Sequence, residues 1–315
     1  ITVVEPSTGK ILAMVSSPNF DPNTVEEQWS WLTSEENTTQ NMMNHATQGT
    51  YPPGSTFKLI TLLEYIRENP DTWQDFHYTC TGTYTNGDYV VNCHDGVAHG
   101  ELDIYGILGM SCNGAFDTIA QTLNSTKWQK LAEDFGYNQS DRSQVDFAYK
   151  KSHFDIASDD SVWSRMQLAI GQGTTTVTPL LNLMMYAAIA NDGVMMTPYL
   201  VDHYLDANGN VVEQTKPKAL RSVCTKAEAE LMDEFLTYVI TNGTAAAGGS
   251  QYARVSGKTG SAQYDSTKNY HAWFCGYGTN DVSEIAVCVM IEKGGAGGIV
   301  AAPVAGQIFD YYFSR

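Results

Sequence analysis

Two short apolar runs open the chain, "ITVVEP" and "KILAMVSS", around a Ser-Thr-Gly turn, and they predict a pair of strands. Residues 19–50 are polar, acidic and rich in turn formers. From Ser55 the run "STFKLITLLEYI" takes helical spacing, with Pro53-Gly54 as its start signal and Asn69-Pro70 as its stop. The stretch 77–93, "HYTCTGTYTNGDYVVNC", predicts a hairpin that turns at Asn86-Gly87. A helix is expected from about Ala115 to Asp134, then polar sequence studded with aromatic residues to about Ser164.

Further on, "TVTPLLNLMMYAAIANDG" reads as a helix with Thr178 as N-cap, Pro179 at the first helical position and Gly193 beyond its end. "LVDHYLDANGNVVEQ" predicts a second hairpin, turning at Asn208-Gly209, and Thr225 with Glu228 forms a capping box for a helix to about Asn242. Three strand-like runs follow, "ARVSGKTGSAQ", "HAWFCGYG" and "EIAVCVMIE", then a glycine-rich loop and a last helix. One sheet drawn from both termini around an inserted helical lobe satisfies this order. The expected fold is α/β in the α+β sense, an antiparallel five-stranded sheet flanked by helices. Its sheet subdomain takes about 1–66 plus 243–315, and a mainly helical subdomain about 67–242.

Composition narrows the function. Among 315 residues, 35 acidic side chains face 18 basic ones, a net charge of −17. That excludes a nucleic-acid surface, which needs Lys and Arg to neutralise phosphates, and the acidity is read as a solubility device. No run reaches the roughly 18 apolar residues of a membrane span, since "TPLLNLMMYAAIA" is short and broken by Asn182. No signal-peptide pattern opens the chain, and its start on a strand reads as a cut at a domain boundary.

Ser55 and Lys58 stand three residues apart and share a face if the helix forms. A second Ser-x-x-Lys, Ser7 to Lys10, lies in a strand-to-strand turn where no face is shared. Ser111-Cys112-Asn113 precedes a predicted helix, whereas its rival Ser17-Pro18-Asn19 is loop. Lys258-Thr259-Gly260 occurs once, on a predicted strand. These three motifs together mark penicillin-binding proteins and class A β-lactamases. A serine nucleophile needs a partner to take its proton, and a free lysine, with a pKa of about 10.4, cannot do so at neutral pH. Burial in a dry cleft and the charge of Lys258 would lower the Lys58 pKa enough to make it a base. Ser55 in the first helical turn also puts its backbone N–H among unpaired donors, where negative charge is favoured.

With a downstream "WFCGYG", the segments "YPPGSTFK", "SCN" and "SGKTGSAQ" resemble the transpeptidase domain of a class B penicillin-binding protein over essentially the whole chain. The gaps suit that family: 56 residues from Ser55 to Ser111 and 147 from there to Lys258. One departure is His45, in "NHAT", where the resemblance implies an arginine. The resemblance implies a β-lactamase/transpeptidase-like fold and a Ser55 acyl-enzyme formed on peptidoglycan stem peptides ending in D-Ala-D-Ala. It gives Ser111 the proton relay to the leaving amine and Asn113 the acyl-donor amide. Lys258, Thr259, Gly260 and Ser261 would bind the terminal carboxylate, and the N–H groups of Ser55 and Ser261 would form the oxyanion hole. Also implied are an acceptor amine, acylation by β-lactams and no cofactor. The parent would be membrane-anchored through a pedestal outside this sequence, on the extracytoplasmic face, with cell-wall synthesis partners.

A class A β-lactamase needs a glutamate after the Ser-x-Asn motif to activate a deacylating water. From Phe135 to Val212 there is none, only the shorter Asp141, Asp146, Asp155, Asp159 and Asp160 among candidates. That argues against hydrolysis and for transfer to an amine. A D,D-carboxypeptidase or weak serine β-lactamase and a non-catalytic β-lactam sensor remain as alternatives, and the resemblance favours the transpeptidase.

Six cysteines remain. A turn at Asn86-Gly87 sets Cys80 opposite Cys93 as a non-hydrogen-bonded pair, close enough for a cross-strand disulfide, the first reading. Adding His99 (or His94) and Cys112 gives the ligand types of a tetrahedral zinc site, the second; free thiols are the third. Cys275 and Cys288, on apolar strands, are expected in the core. "GGAGGIVAAP" fails the dinucleotide pattern at Val300 and reads as a close turn onto the sheet.

Overall fold

Strands from the two ends of the chain meet in one sheet. The computed structural model describes residues 1–139, 145–265, 267 and 269–315. Asp141 lies outside them. The first strands are β1 (Thr2–Val4) and β2 (Ile11–Met14). Next come β3 (His77–Cys80), β4 (Thr83–Asn86), β5 (Tyr89–Asn92) and β6 (Gly100–Asp103). Four more short strands follow, β7 (Val194–Met196), β8 (His203–Leu205), β9 (Val211–Gln214) and β10 (Ala219–Ser222). The long strands are β11 (Arg254–Gln263), β12 (Tyr270–Thr279) and β13 (Glu284–Ile291). The main sheet runs β11-β12-β13-β1-β2, antiparallel throughout, so β11 is an edge.

Both faces of this sheet are covered, which explains why β12 is buried at every position but its ends. On one face Phe274 meets Phe309 edge-on at 6.2 Å, and Gly278 leaves room for Phe309 and Phe313 of the last helix, Ala302–Phe313. Period-2 alternation turns Trp273, Cys275 and Tyr277 to the other face. There lies the helix Pro179–Ala190, whose Asn182 to Ile189 are all buried. A helix apolar on all sides belongs in a core. Cys275 and Cys288 sit opposite each other in the register, both buried, as their apolar strands predict.

The caps expected at Thr178 and Thr225 form, the latter as a full capping box on the helix Lys226–Asn242. Three expectations give way. The helix foreseen from Ala115 to Asp134 is two, Asn113–Ala120 and Ser125–Asp134, because Asn124 caps the second by accepting from the Lys127 N–H. The helix foreseen from Ser55 begins as a 3-10 turn, Gly54–Phe57, and becomes α-helical at Lys58. The hairpin at 77–93 takes another register: Asn86 faces Tyr89 and Thr83 faces Asn92, while β3 pairs with β6. Gly87, at φ 60°, stands at the first central position of the two-residue turn, where a type II′ geometry wants its glycine.

Phe57, the last residue of the 3-10 turn that carries Ser55, is fully buried against Trp128, Tyr137 and Phe154, with ring centroids 4.9–6.5 Å away. Phe57→Ala opens a cavity at this anchor and is expected to destabilise the fold by about 3–5 kcal/mol. Urea unfolding of the two proteins measures it, and a loss under about 1 kcal/mol would mean the anchor carries no such weight.

Candidate active site

Three chain segments far apart in sequence converge on one serine hydroxyl. Lys58, in the first turn of the helix Lys58–Glu68, donates from Nζ to Ser111 O (2.8 Å), Ser111 Oγ (3.3 Å) and Asn113 Oδ1 (2.7 Å). From β11, Lys258 Nζ donates to the same Ser111 Oγ (2.9 Å) and to Thr259 O (3.1 Å). Both lysines have 0% of their surface exposed. Ser55 stands one turn before Lys58, partly exposed on the 3-10 turn. The decoy pair behaves as its turn predicts: Lys10 reaches Asp202 on the surface, 2.7 Å away.

Burial sets the protonation of this cluster. Desolvation lowers the Lys58 ammonium to about 8, against the pull of Cys112, Cys93 and Asp117. Lys258 is pushed well below the usual lysine range by burial first and by the charge of Lys58 second. Burial and the charge of Lys258 were both expected to lower Lys58; in the structure burial lowers it, and the repulsion falls on Lys258. Ser111 itself has a left-handed backbone, φ 55°, which costs a non-glycine residue about 1–3 kcal/mol. The bend is held by Ser111 N–H on Leu108 O (3.1 Å), Cys112 N–H on Ile107 O (2.9 Å) and the Lys58 bond to the Ser111 carbonyl.

The nucleophile turn is fixed from four sides. Gly54, at φ 57°, donates to Gly171 O (2.9 Å), and a Cβ there would lie 2.9 Å from the Ala262 Cβ. The carbonyl of Pro52 accepts from Trp273 Nε1 (3.1 Å), and that of Pro53 from Thr56 Oγ1 (2.9 Å). Asn182 Nδ2 donates to Thr56 Oγ1 (3.0 Å) and Tyr186 Oη to Thr56 O (2.8 Å), all buried. On β11, Gly260 faces this turn because a Cβ would lie 2.9 Å from Pro53 O.

A family model for the penicillin-binding protein transpeptidase domain matches residues 1–310. The chain belongs to this family. It is 28% identical to the peptidoglycan D,D-transpeptidase PbpA of Mycolicibacterium smegmatis, covering 96% of this chain and 65% of that protein. Against the peptidoglycan D,D-transpeptidase MrdA of Acinetobacter baumannii it is also 28% identical, over 99% of this chain and 50% of the other. The chain thus spans half to just under two thirds of these relatives. Among solved structures, the ceftriaxone acyl-enzyme of penicillin-binding protein A from M. tuberculosis matches with a TM-score of 0.87 at 26% identity, covering 98% of this chain and 72% of that one. The D,D-transpeptidase domain of a peptidoglycan glycosyltransferase from Eggerthella lenta also gives 0.87, at 28% identity, over 98% and 76%.

Around the trio, this transpeptidase-family domain adds what the motifs did not announce. Asn113 is engaged at both ends of its amide, by Lys58 and by donation to Asn92 O (2.8 Å). Thr259 and Ser261 point to the opposite side of β11 from Lys258. Their hydroxyls meet Thr244 Oγ1 (3.0 Å) and the Gly297 N–H (3.1 Å). A Cβ on Gly297 would lie 2.4 Å from Gly260 O, so the glycine-rich loop does close onto the sheet. Gln172, between Gly171 and Gly173, pairs its amide with the backbone of Gln263 at 3.0 and 3.1 Å. A glycine on each side of the amide was the available signal, and both take positive φ.

His45 replaces the arginine the resemblance implies. Its Nδ1 lies 2.6 Å from Tyr51 Oη and 3.0 Å from Glu292 Oε1, while Tyr51 donates to Glu292 (2.6 Å). The compact ring fits a three-group cluster that ties the segment before the nucleophile to the loop after β13. The cysteines also differ from the first reading. Cys80 ends β3 and Cys93 follows β5, so the cross-strand pairing that motivated a disulfide does not form, and their sulfurs are 3.6 Å apart. His99 Nδ1 and Cys112 Sγ join them, whereas His94 is half exposed beside Asp95.

Tyr186→Phe removes one buried bond beneath Ser55 and is expected to cost about 1–2 kcal/mol. If Tyr186 positions the nucleophile, acylation by a β-lactam slows by about tenfold while the non-covalent binding constant stays put. Stopped-flow acylation over a range of β-lactam concentrations separates the two; equal changes in both would leave only a packing role.

Proposed function

We propose that this domain is an acyl-serine D,D-transpeptidase, and the sharing of the Ser111 hydroxyl by two buried lysines one turn from Ser55 carries the reading. Ser55 Oγ attacks the carbonyl of the penultimate D-Ala of a stem peptide, and Lys58 takes its proton. The new bond is a serine ester, and the bond that breaks is the peptide C–N. Ser111, in contact with both amines, passes a proton to the leaving D-Ala nitrogen. A second strand's amine then attacks the ester, and the Ser55 oxygen recovers a proton by the reverse route. Lys258, brought back to its charged form by the substrate's terminal carboxylate, offers its charge to that anion from one side of β11, and Thr259, Gly260 and Ser261 hold it from the other. Backbone N–H groups of Ser55 and Ser261 would receive the oxyanion, a contribution of about 3–4 kcal/mol per donor.

The relatives' names, peptidoglycan D,D-transpeptidase, support the substrate class, and the acyl-enzyme structure of penicillin-binding protein A supports covalent capture of β-lactams. Among the described residues no helix is long and apolar enough to cross a membrane. We assign the domain to the extracytoplasmic face, as part of a longer anchored protein, because that is where stem peptides are cross-linked.

Incubation with penicillin and intact-mass measurement is expected to give a stable adduct that Ser55→Ala abolishes. D-alanine release from a stem-peptide mimic is expected to rise when an acceptor amine is added. Release indifferent to the amine means a carboxypeptidase, an adduct without release means a sensor, and an adduct that clears in seconds means a hydrolase. A second expectation concerns pH. Lys58 must be neutral to accept a proton, and its pKa is about 8. The acylation rate constant therefore climbs with pH below that value and levels above it. A profile flat from about pH 6 to 9 would remove Lys58 from the role of base.

A further inference from the structure

Beside the active site, the region 77–103 is thinly cored. Its two-stranded sheets, β3 with β6 and β4 with β5, bury only Cys80, Gly82, Val91, Cys93 and Leu102. Hairpins of that size are marginal alone. Yet their loops bring four ligand atoms together: Cys80, Cys93 and Cys112 Sγ with His99 Nδ1, all within 4.8 Å of one another. The separations are 3.6 Å for Cys80–Cys93, 3.8 Å for Cys93–Cys112 and 3.3 Å for Cys80–His99.

Those lengths discriminate between the readings. A disulfide needs about 2.05 Å between sulfurs. A tetrahedral zinc, with Zn–S of about 2.3 Å and Zn–N of about 2.0–2.1 Å, sets sulfurs about 3.8 Å apart and sulfur from nitrogen about 3.6 Å. A backbone N–H also aims at one sulfur, as it does around thiolates: Gly82 at Cys80 (3.4 Å). An apolar cluster of thiols needs neither an imidazole nitrogen among them nor this donor.

We infer that Cys80, Cys93, His99 and Cys112 form a closed structural zinc site, three thiolates and one imidazole. Each ligand comes from a different turn, so the ion closes the loops of a region that lacks apolar core. It also reaches the chemistry. Cys112 lies between Ser111 and Asn113, and Cys93 follows Asn92, whose carbonyl accepts from Asn113. The metal thereby clamps the strained Ser111 bend onto the segment that positions Asn113. Metal content stands apart from the proposed activity; only the effect on acylation rests on the Ser55 reading.

Domain expressed with zinc in the medium is measured by inductively coupled plasma mass spectrometry. About one zinc per chain is expected, released when the thiols are titrated with a mercurial in the presence of a chromogenic chelator. Cobalt in its place should give the intense visible bands of a tetrahedral thiolate site. The Cys80→Ser/His99→Ala double variant is expected to lose the zinc. Stripping zinc from the native domain is expected to slow acylation by about 10–100-fold, reversed by adding it back. A metal-free native domain whose peptide map shows free thiols or a Cys80–Cys93 disulfide overturns the site. So does zinc that persists in the double variant. Zinc present but without effect on acylation overturns the clamp alone.

Discussion

Taking an ammonium group out of water costs several kcal/mol even after a protein relaxes around it, and this domain buries two of them against one hydroxyl. The cost is offset only where polar partners are dense and correctly aimed. Lys58 has three acceptors, two of them supplied by a single residue whose backbone must bend to offer both. Lys258 has the same hydroxyl and its neighbour's carbonyl. Two amines so close cannot both keep a proton comfortably. The pair therefore binds its second proton less readily than two free lysines would, and the repulsion falls on Lys258.

That poise depends on positions that do not drift, and the surrounding fold supplies them through buried polar contacts. The nucleophile turn bonds to Asn182 and Tyr186 from the most apolar helix, to Gly171 from a tight loop and to Trp273 from the sheet. Asn182, which looked like a break in an apolar run, is the partner that a buried threonine requires. Each such group would cost free energy if left alone, so each fixes its neighbour's place.

Much of this was legible in the chain. Local rules located the caps at Thr178 and Thr225, and the distribution of apolar runs placed strands of one sheet at both termini. Lys58, Ser111, Asn113 and Lys258 were found by motif and share one hydrogen-bonded cluster, with Ser55 one turn before Lys58. What local rules could not decide was competition between equivalent geometries. One glycine at position 87 serves either of two hairpin registers, and tertiary pairing of β3 with β6 chose between them. The braces at Tyr186, Gln172 and Glu292 were invisible for a different reason. Their partners lie between about 90 and 240 residues away, and no spacing rule reaches that far. The cysteines fell between these cases: the right four residues were in view, and their mutual distances were not.

The position of β11 ties the fold to the reaction. An edge strand carries unpaired N–H and C=O groups and is a hazard unless covered or used. Here the Gln172 amide takes up the backbone of Gln263, near the strand's end, and the Gly54 turn crowds Gly260 and Ala262. The groups left over lie beside Ser55 and above Lys258, the place where an extended peptide could add as one more strand. Binding by the main chain tolerates different side chains, and the buried lysine beneath the strand offers a charge to an anionic end. An edge that would otherwise invite aggregation is thus partly covered, with a buried lysine under its open part.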